Sequence, residues 1–416
     1  MQDSPHAARW VNILSDQDWE VMVFPVNSQP PSHEFNKSIS IYRKSITLII
    51  VHTLLKWNDQ IGGAIVNAID LPFRSGLLKL NSFIGRLGRS FLASLDSIFI
   101  ENIKKTKISI PKLHGPHQLL KCIDAFKPDL IHSLEFQHCS YLLLQVKESL
   151  GEVFPKWAVT NWGSDIYFYQ NYDIHHHLIN QVLINADVYF CECHRDVELA
   201  IHMGFKGVVA PVGPNIGGLN LEVLKPIRDV VIPSKRNLIV VKGYEGFSGR
   251  ALIALEAISM CRDFLSNYKV LVYSASPAVR NKIKSLSEDG ISIKSLDRLS
   301  NMELLKVFAM ARIYLGVGVT DGISTSMLEA MSMGAFPIQT NTACCNEWLE
   351  DGRSGFIICP DDIEKIASRV KISLKDDVLV DQASKVNWKI AEKRLDLSKN
   401  RAKIIDFYFK ILDDAE

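Results

Sequence analysis

The residues best suited to chemistry lie in one run, Thr320-Asp-Gly-Ile-Ser-Thr-Ser-Met-Leu-Glu329-Ala-Met-Ser-Met-Gly334. Residues 313–317 before it read as a strand, and a glycine-containing turn leads into a helix opened by Ser324-Thr325-Ser326. The first N–H groups of a helix have no partner inside it and sit at the positive end of its dipole, which favours an anion such as a diphosphate. The dipole alone contributes only ~0.3–1 kcal/mol, so such a site needs partners. Asp321 and Glu329 would contact other parts of the same ligand. Carboxylates accept hydrogen bonds and sugar hydroxyls donate them. Asp321 in the loop suits a hexose, and Glu329, eight residues on and inside the helix, suits a ribose. Glu329 stands among Met327, Leu328, Ala330 and Met331, where an unused charge would be costly to bury.

Two cations form a second set. Lys242-Gly243 closes an apolar run, and Gly249-Arg250 opens the next helix. At the carboxyl edge of a sheet, Lys242 and Arg250 would hold a pyrophosphate and neutralise a leaving group. Gly243, Gly246 and Gly249 would let backbone approach the phosphates. Two other clusters have plainer readings. Cys191-Glu192-Cys193-His194 reads as a strand running into a helix, and His175-His176-His177 as a solvated helix start. The eight cysteines show no Cys-x-x-Cys spacing, so neither a disulfide scaffold nor a metal knuckle is expected, and free thiols fit a reducing compartment. With no Asp-x-Asp pair at a strand end, no metal cofactor is expected.

These residues need a scaffold. A helix is expected over 7–15 with Ser4 as its cap, then strands at 20–26 and 38–42. A strand ordinarily precedes such a helix, so the reading is that the first strand is missing from this sequence. Residues 45–107 read as a helical insertion, and between 74 and 92 apolar residues interleave with Arg74, Lys79, Arg86 and Arg89 in a basic amphipathic pattern. Strands then recur at 130–133, 157–161, 187–192 and 208–212 with helices between them, the mark of a parallel sheet. Residues 224–236, rich in proline and charge, read as an interdomain connection. Beyond it the rhythm restarts, with strands at 238–241, 269–273, 291–294, 313–317 and 336–339. The fold class is therefore α/β, two Rossmann-like doubly wound domains facing across a cleft. The expected division is 1–228, 229–386 and a C-terminal segment 387–416, whose helix at about 387–412 crosses back to the first domain.

Composition sets outer bounds. A net charge of +1, 47% apolar residues and 22% charged ones exclude a disordered chain, a collagen-like chain and a strongly basic nucleic-acid coat. The near-zero net charge itself says little about partners; no nucleic-acid partner is expected. No basic segment followed by an apolar one opens the chain, and the longest apolar run, 46–55, is about half of the ~20 residues that span a bilayer. A cytoplasmic protein is expected, at most peripheral on the inner membrane face.

With these motifs the second half resembles the donor domain of retaining GT-B glycosyltransferases, the large nucleotide-sugar family with a carboxylate–seven residues–Glu motif (glycosyltransferase family 4-like, glycosyl transferases group 1). The likeness runs over about 238–366 and includes Glu347-Trp-Leu-Glu-Asp-Gly352 and Gly355-Phe-Ile-Ile358. The first half is similar more loosely, through Ser4-Pro-His-Ala-Ala-Arg-Trp10, Lys127-Pro-Asp-Leu-Ile-His132 and Trp162-Gly-Ser-Asp165. The resemblance implies that Asp321 contacts donor-sugar hydroxyls, Glu329 the ribose, and Lys242 and Arg250 the diphosphate. Gly243, Gly322 and the N–H groups of Ile323, Ser324 and Thr325 would assist. Asp321 departs from the family, which usually has Glu there. The eight-residue spacing of Lys242 and Arg250 is wider than the family's basic pair. Trp162 stands where many members carry His. His6 and Asp165 are the acceptor-side candidates, and His132 lies in a neighbouring strand-end loop.

The activity implied is transfer of a sugar from a nucleotide-diphosphate sugar, UDP-sugar foremost, to a glycan or lipid-linked acceptor, with retention, as in surface polysaccharide or glycoconjugate synthesis. Retaining glycosidases use two carboxylates about 5 Å apart. Here Asp165 is the one candidate nucleophile read from the first half. The expected course is therefore front-face displacement, in which the departing phosphate takes the acceptor's proton. A nucleotide-sugar 2-epimerase on the same scaffold and a non-catalytic binding subunit are the alternatives.

Overall fold

Short aliphatic runs such as Leu238-Ile-Val-Val-Lys242 are strands here because helices pack on both faces of the two larger parallel sheets, as near-continuous apolar runs require. The computed structural model describes residues 5–26, 34–41 and 115–413. The insertion expected at 45–107, its basic stretch at 74–92 and the Ser4 cap lie outside the described residues.

The first domain opens with α1 (Pro5–Asn12) and a parallel pair, β1 (Met22–Val23) and β2 (Ser40–Ile41). The strand expected at 20–26 is thus two residues long. Pro25 has no N–H to give a ladder, which ends β1 early. Next come α2 (Pro116–Phe126), β3 (Leu130–Leu134), α3 (Tyr141–Leu150), β4 (Lys156–Thr160), α4 (Ser164–Tyr167), α5 (Asp173–Asn185), β5 (Val188–Phe190), α6 (His194–His202) and β6 (Val208–Val209). Strands β3-β4-β5-β6 form one parallel sheet in that order. Trp157, Val159, Ile179, Leu183 and Tyr189 fill its core.

The stretch 224–236 is not wholly irregular, because its first residues finish α7 (Leu221–Arg228). Asn220 caps that helix by accepting from the Val223 N–H at 3.3 Å, and Pro226 withdraws a donor just before it ends. The second domain follows: β7 (Leu238–Lys242), α8 (Ala251–Ser259), β8 (Lys269–Tyr273), α9 (Pro277–Glu288), β9 (Ile293–Ser295), α10 (Asn301–Met310), β10 (Ala311–Gly316), α11 (Thr325–Ser332), β11 (Phe336–Thr340), β12 (Phe356–Ile358) and α12 (Ile363–Lys375). Its six parallel strands lie in the order β9-β8-β7-β10-β11-β12. The order reverses between β7 and β10. At that switch point the connections leave toward opposite faces and open a crevice at the strands' carboxyl ends. Lys242 ends β7, and the loop carrying Asp321 follows β10.

The helix expected at 387–412 is two helices, α13 (Asp377–Arg394) and α14 (Leu397–Asp413). The break is pinned by the chain crossing at Leu219, whose N–H donates to the Leu395 carbonyl (2.6 Å) and whose carbonyl accepts from the Leu397 N–H (3.0 Å). Asp396 then restarts the helix by accepting from the Lys399 N–H at 3.0 Å. Helix α14 lies on the first domain: Tyr408 Oη is 2.5 Å from His132 Nδ1, and Arg401 donates to the Ile13 carbonyl at 3.1 Å. His132 is therefore a core residue, its other nitrogen 2.7 Å from Thr160 Oγ1. Among the described residues no helix is long and apolar enough to cross a membrane.

Candidate active site

The switch point of the second sheet faces the carboxyl ends of the first, and a cavity of about 910 Å³ lies between them. Lys242, Asp321, Ser324, Thr325 and Glu329 line it from the second domain. His6, Arg9, Trp162, Asp165 and Glu192 line it from the first. One seam brings the walls this close. The Gly322 N–H donates to the Trp162 carbonyl at 3.2 Å. Gly163, at φ +93°, packs so tightly there that a Cβ would fall 1.7 Å from the Gly322 nitrogen, so no other residue fits. Arg195 clamps the same loop, donating to the Asp321 carbonyl (2.7 Å) and the Thr342 carbonyl (2.9 Å).

Helix α11 begins at Thr325 with no side chain capping its first N–H groups, and Ser324 and Thr325 both line the cavity. Beneath them sit the charges. Burial pushes the Asp321 carboxyl up to about 6, against the opposing pull of Lys242 and of the Gly322 N–H. Burial works against the Lys242 ammonium, but Tyr314, Asp321, Tyr244 and Glu329 outweigh it and hold the group above its ordinary value. Lys242 is therefore cationic in the cavity. Glu329 is only 3% exposed, and burial raises its pKa. Asn301 Nδ2 donates to Glu329 at 2.7 Å and Arg9, reaching from the first domain, approaches to 3.6 Å.

His6 is neutral at working pH: burial, Arg9 and Lys242 lower it to about 4. Its Nδ1, the Trp162 Nε1 and the Gln339 Oε1 are buried along this cavity without a hydrogen-bond partner. Native structures rarely leave such atoms idle. Together with the carboxylates they suit a ligand rich in hydroxyls.

Several expected residues stand elsewhere or are engaged by other partners. Arg250 does not line the cavity; its guanidinium folds back onto the Gly246 and Gly249 carbonyls of its own loop. Gly243 is a packing residue, since a Cβ there would lie 2.6 Å from the Tyr273 carbonyl. Gly322 and Ile323 spend their N–H groups on the first domain, on the Trp162 carbonyl and the Glu192 carboxylate. Asp165 lines the cavity, yet its Oδ2 accepts from the Phe136 and Trp162 N–H groups, both at 3.3 Å, and burial with Glu135 nearby raises its pKa above the ordinary value. It is a loop brace and a poor nucleophile.

Other residues escaped the sequence reading. Glu192 lines the cavity opposite Asp321, accepts from the Asn215 N–H at 2.8 Å, and is raised well above its ordinary value by burial and then by Asp321. Arg9 was legible in principle, three residues after His6 and so on the same face of α1. Arg195, Asn301 and Glu34, the last paired with Arg9 at 3.3 Å, carried no local signal.

Two α/β domains with parallel sheets, facing each other across a cavity at the sheet edges, make a GT-B fold. Residues 240–376 match the family model described as Glycosyl transferases group 1. The second domain is thus similar to glycosyl transferases group 1, and the chain has a GT-B fold. Among solved structures it is similar to sucrose-phosphate synthase from Thermosynechococcus elongatus (14% identity, 71% of this chain and 78% of that one, TM-score 0.58). It is also similar to α,α-trehalose 6-phosphate synthase from Burkholderia multivorans (14%, 72% and 74%, 0.57). Anabaena HepE, solved in complex with UDP and glucose, matches at 13% identity over 71% and 81% with a TM-score of 0.56. No curated protein matches the sequence.

Proposed function

We propose that this chain transfers a sugar from a nucleotide-diphosphate sugar to a glycan or lipid-linked acceptor, with retention and without a metal. The observation that carries this reading is the meeting of Lys242, Asp321, Glu329 and the uncapped end of α11 in one buried cavity. Glu329 takes the ribose hydroxyls and Asp321 those of the sugar. The N–H groups at Ser324 and Thr325 receive the diphosphate, and Lys242 neutralises it as the glycosidic bond breaks. Positioning has a ceiling of ~7–11 kcal/mol in such a mechanism. The UDP bound to HepE supports uridine as the base.

The structure adds Glu192 to the carboxylates on the first-domain side, but burial favours its neutral form, which is a weak nucleophile. Front-face displacement therefore remains the proposed course, the leaving phosphate accepting the acceptor's proton. Slow hydrolysis of a UDP-hexose tests it by proton NMR. The reading expects the first sugar released to keep the donor's anomeric configuration, with the same rate in chelator. An inverted anomer would overturn retention. Activity lost to chelator and restored by Mn²⁺ would overturn metal independence.

A further inference from the structure

Away from the cavity, the cysteine cluster at 191–194 meets the second domain. Cys193, just before the first residue of α6, has its Sγ 3.1 Å from the Sγ of Cys344. Both side chains are buried and neither is paired in a disulfide. Cys344 holds a left-handed backbone (φ 47°, ψ 31°), a conformation strained for a non-glycine residue. That strained turn aims its thiol across the seam, next to the Arg195 clamp on the Asp321 loop.

Glu347 brings a third potential metal ligand near the two sulfurs. Metal is the weaker reading. Tetrahedral zinc, with Zn–S about 2.3 Å, spaces two sulfurs by ~3.8 Å, wider than the pair stands. Glu347 already accepts from the His194 N–H at 2.8 Å. A disulfide needs the sulfurs only about 1 Å closer.

We propose that Cys193 and Cys344 form a redox clasp, a disulfide that ties the two domains together across the seam. The oxidant is a low-molecular-weight disulfide. One cysteine thiolate attacks it, releasing one small thiol and leaving a mixed disulfide on the protein. The second cysteine attacks that bond and releases the second small thiol. Two protein thiols are oxidised, the small disulfide is reduced to two thiols, and the two protons end on them. The thiols are buried in the closed form, so the exchange proceeds when the domains part, and the bond then holds them closed. The clasp concerns the domains and stands whether or not the cleft transfers a sugar.

The test incubates the full chain with oxidised glutathione, blocks the remaining thiols and maps the peptides by mass spectrometry. Cys359, the exposed cysteine, reports that oxidant reached the protein. The expected result is a Cys193–Cys344 cross-link as the main product, reversed by reductant. It is absent from Cys193→Ser and from Cys344→Ala, and it raises the melting temperature of the wild type by ~3 °C or more. Cys344→Ala serves if the Ser variant does not fold. Three results would overturn the clasp. Cys193 and Cys344 stay reduced while Cys359 is glutathionylated, the cross-link joins Cys344 to Cys345 instead, or the purified chain holds one zinc that is lost in both variants.

Discussion

The two walls of the cleft are built differently. The second-domain wall takes Asp321, Ser324, Thr325 and Glu329 from one continuous loop and helix, with Lys242 on the adjacent strand. The first-domain wall draws His6 and Arg9 from α1, Trp162 and Asp165 from the turn after β4, and Glu192 from the end of β5. A wall made of one segment carries its chemistry in its spacing. A wall made of strand ends acquires its chemistry only when the sheet order is set. The difference also divides the labour. The contiguous wall presents charge and open N–H groups, while the assembled wall braces it through Trp162, Arg195 and Glu192.

Substitutions can break or sharpen that contrast. The largest effect is expected for Lys242→Met, which removes the cation proposed to neutralise the leaving group: kcat should fall about 100- to 1,000-fold, with a smaller change in KM. A drop under tenfold in steady-state kinetics would move leaving-group stabilisation to another residue. Glu329→Ala should weaken donor binding by about 10- to 100-fold in calorimetry, since it deletes a buried charged acceptor and strips Asn301 of its partner.

Asp321→Asn should cost roughly tenfold in kcat/KM, one charged hydrogen bond's worth, and should change the pH profile. In the free protein Asp321 is raised to about 6, so it is the carboxylate above that pH and the neutral acid below it. Wild-type kcat/KM should fall as pH drops through 6, and the Asn variant should be flat there. A limb that persists in the variant would assign it to another group, with Glu192 the next to examine. The smallest effect is expected for Arg250→Ala, within about threefold in kcat/KM, because its guanidinium serves its own loop. A large loss would show that Arg250 swings into the cavity when donor binds.

Much of the second domain was legible. The strand expected at 269–273 coincides with β8, and the others differ by one or two residues at their ends. Buried parallel strands are apolar throughout, and helix starts carry their own signals at Ser276 and Ser300. The contacts of Arg250 are not legible in sequence, because a cation beside glycines looks the same whether it faces a ligand or its own loop carbonyls. The first domain hid more. Cys191 to His194 does run from strand into helix, yet nothing local places Cys193 against a thiol 151 residues away. The helix at 387–412 looked continuous because its break depends on a crossing at Leu219.

The most direct test of the donor site is ligand-observed NMR with UDP-, GDP- and ADP-sugars on the wild type and on folded Glu329→Ala. The account predicts saturation transfer to one nucleotide-sugar, including its ribose protons, that the variant loses. A folded wild type that binds none of them, or a variant that binds as the wild type does, would contradict it.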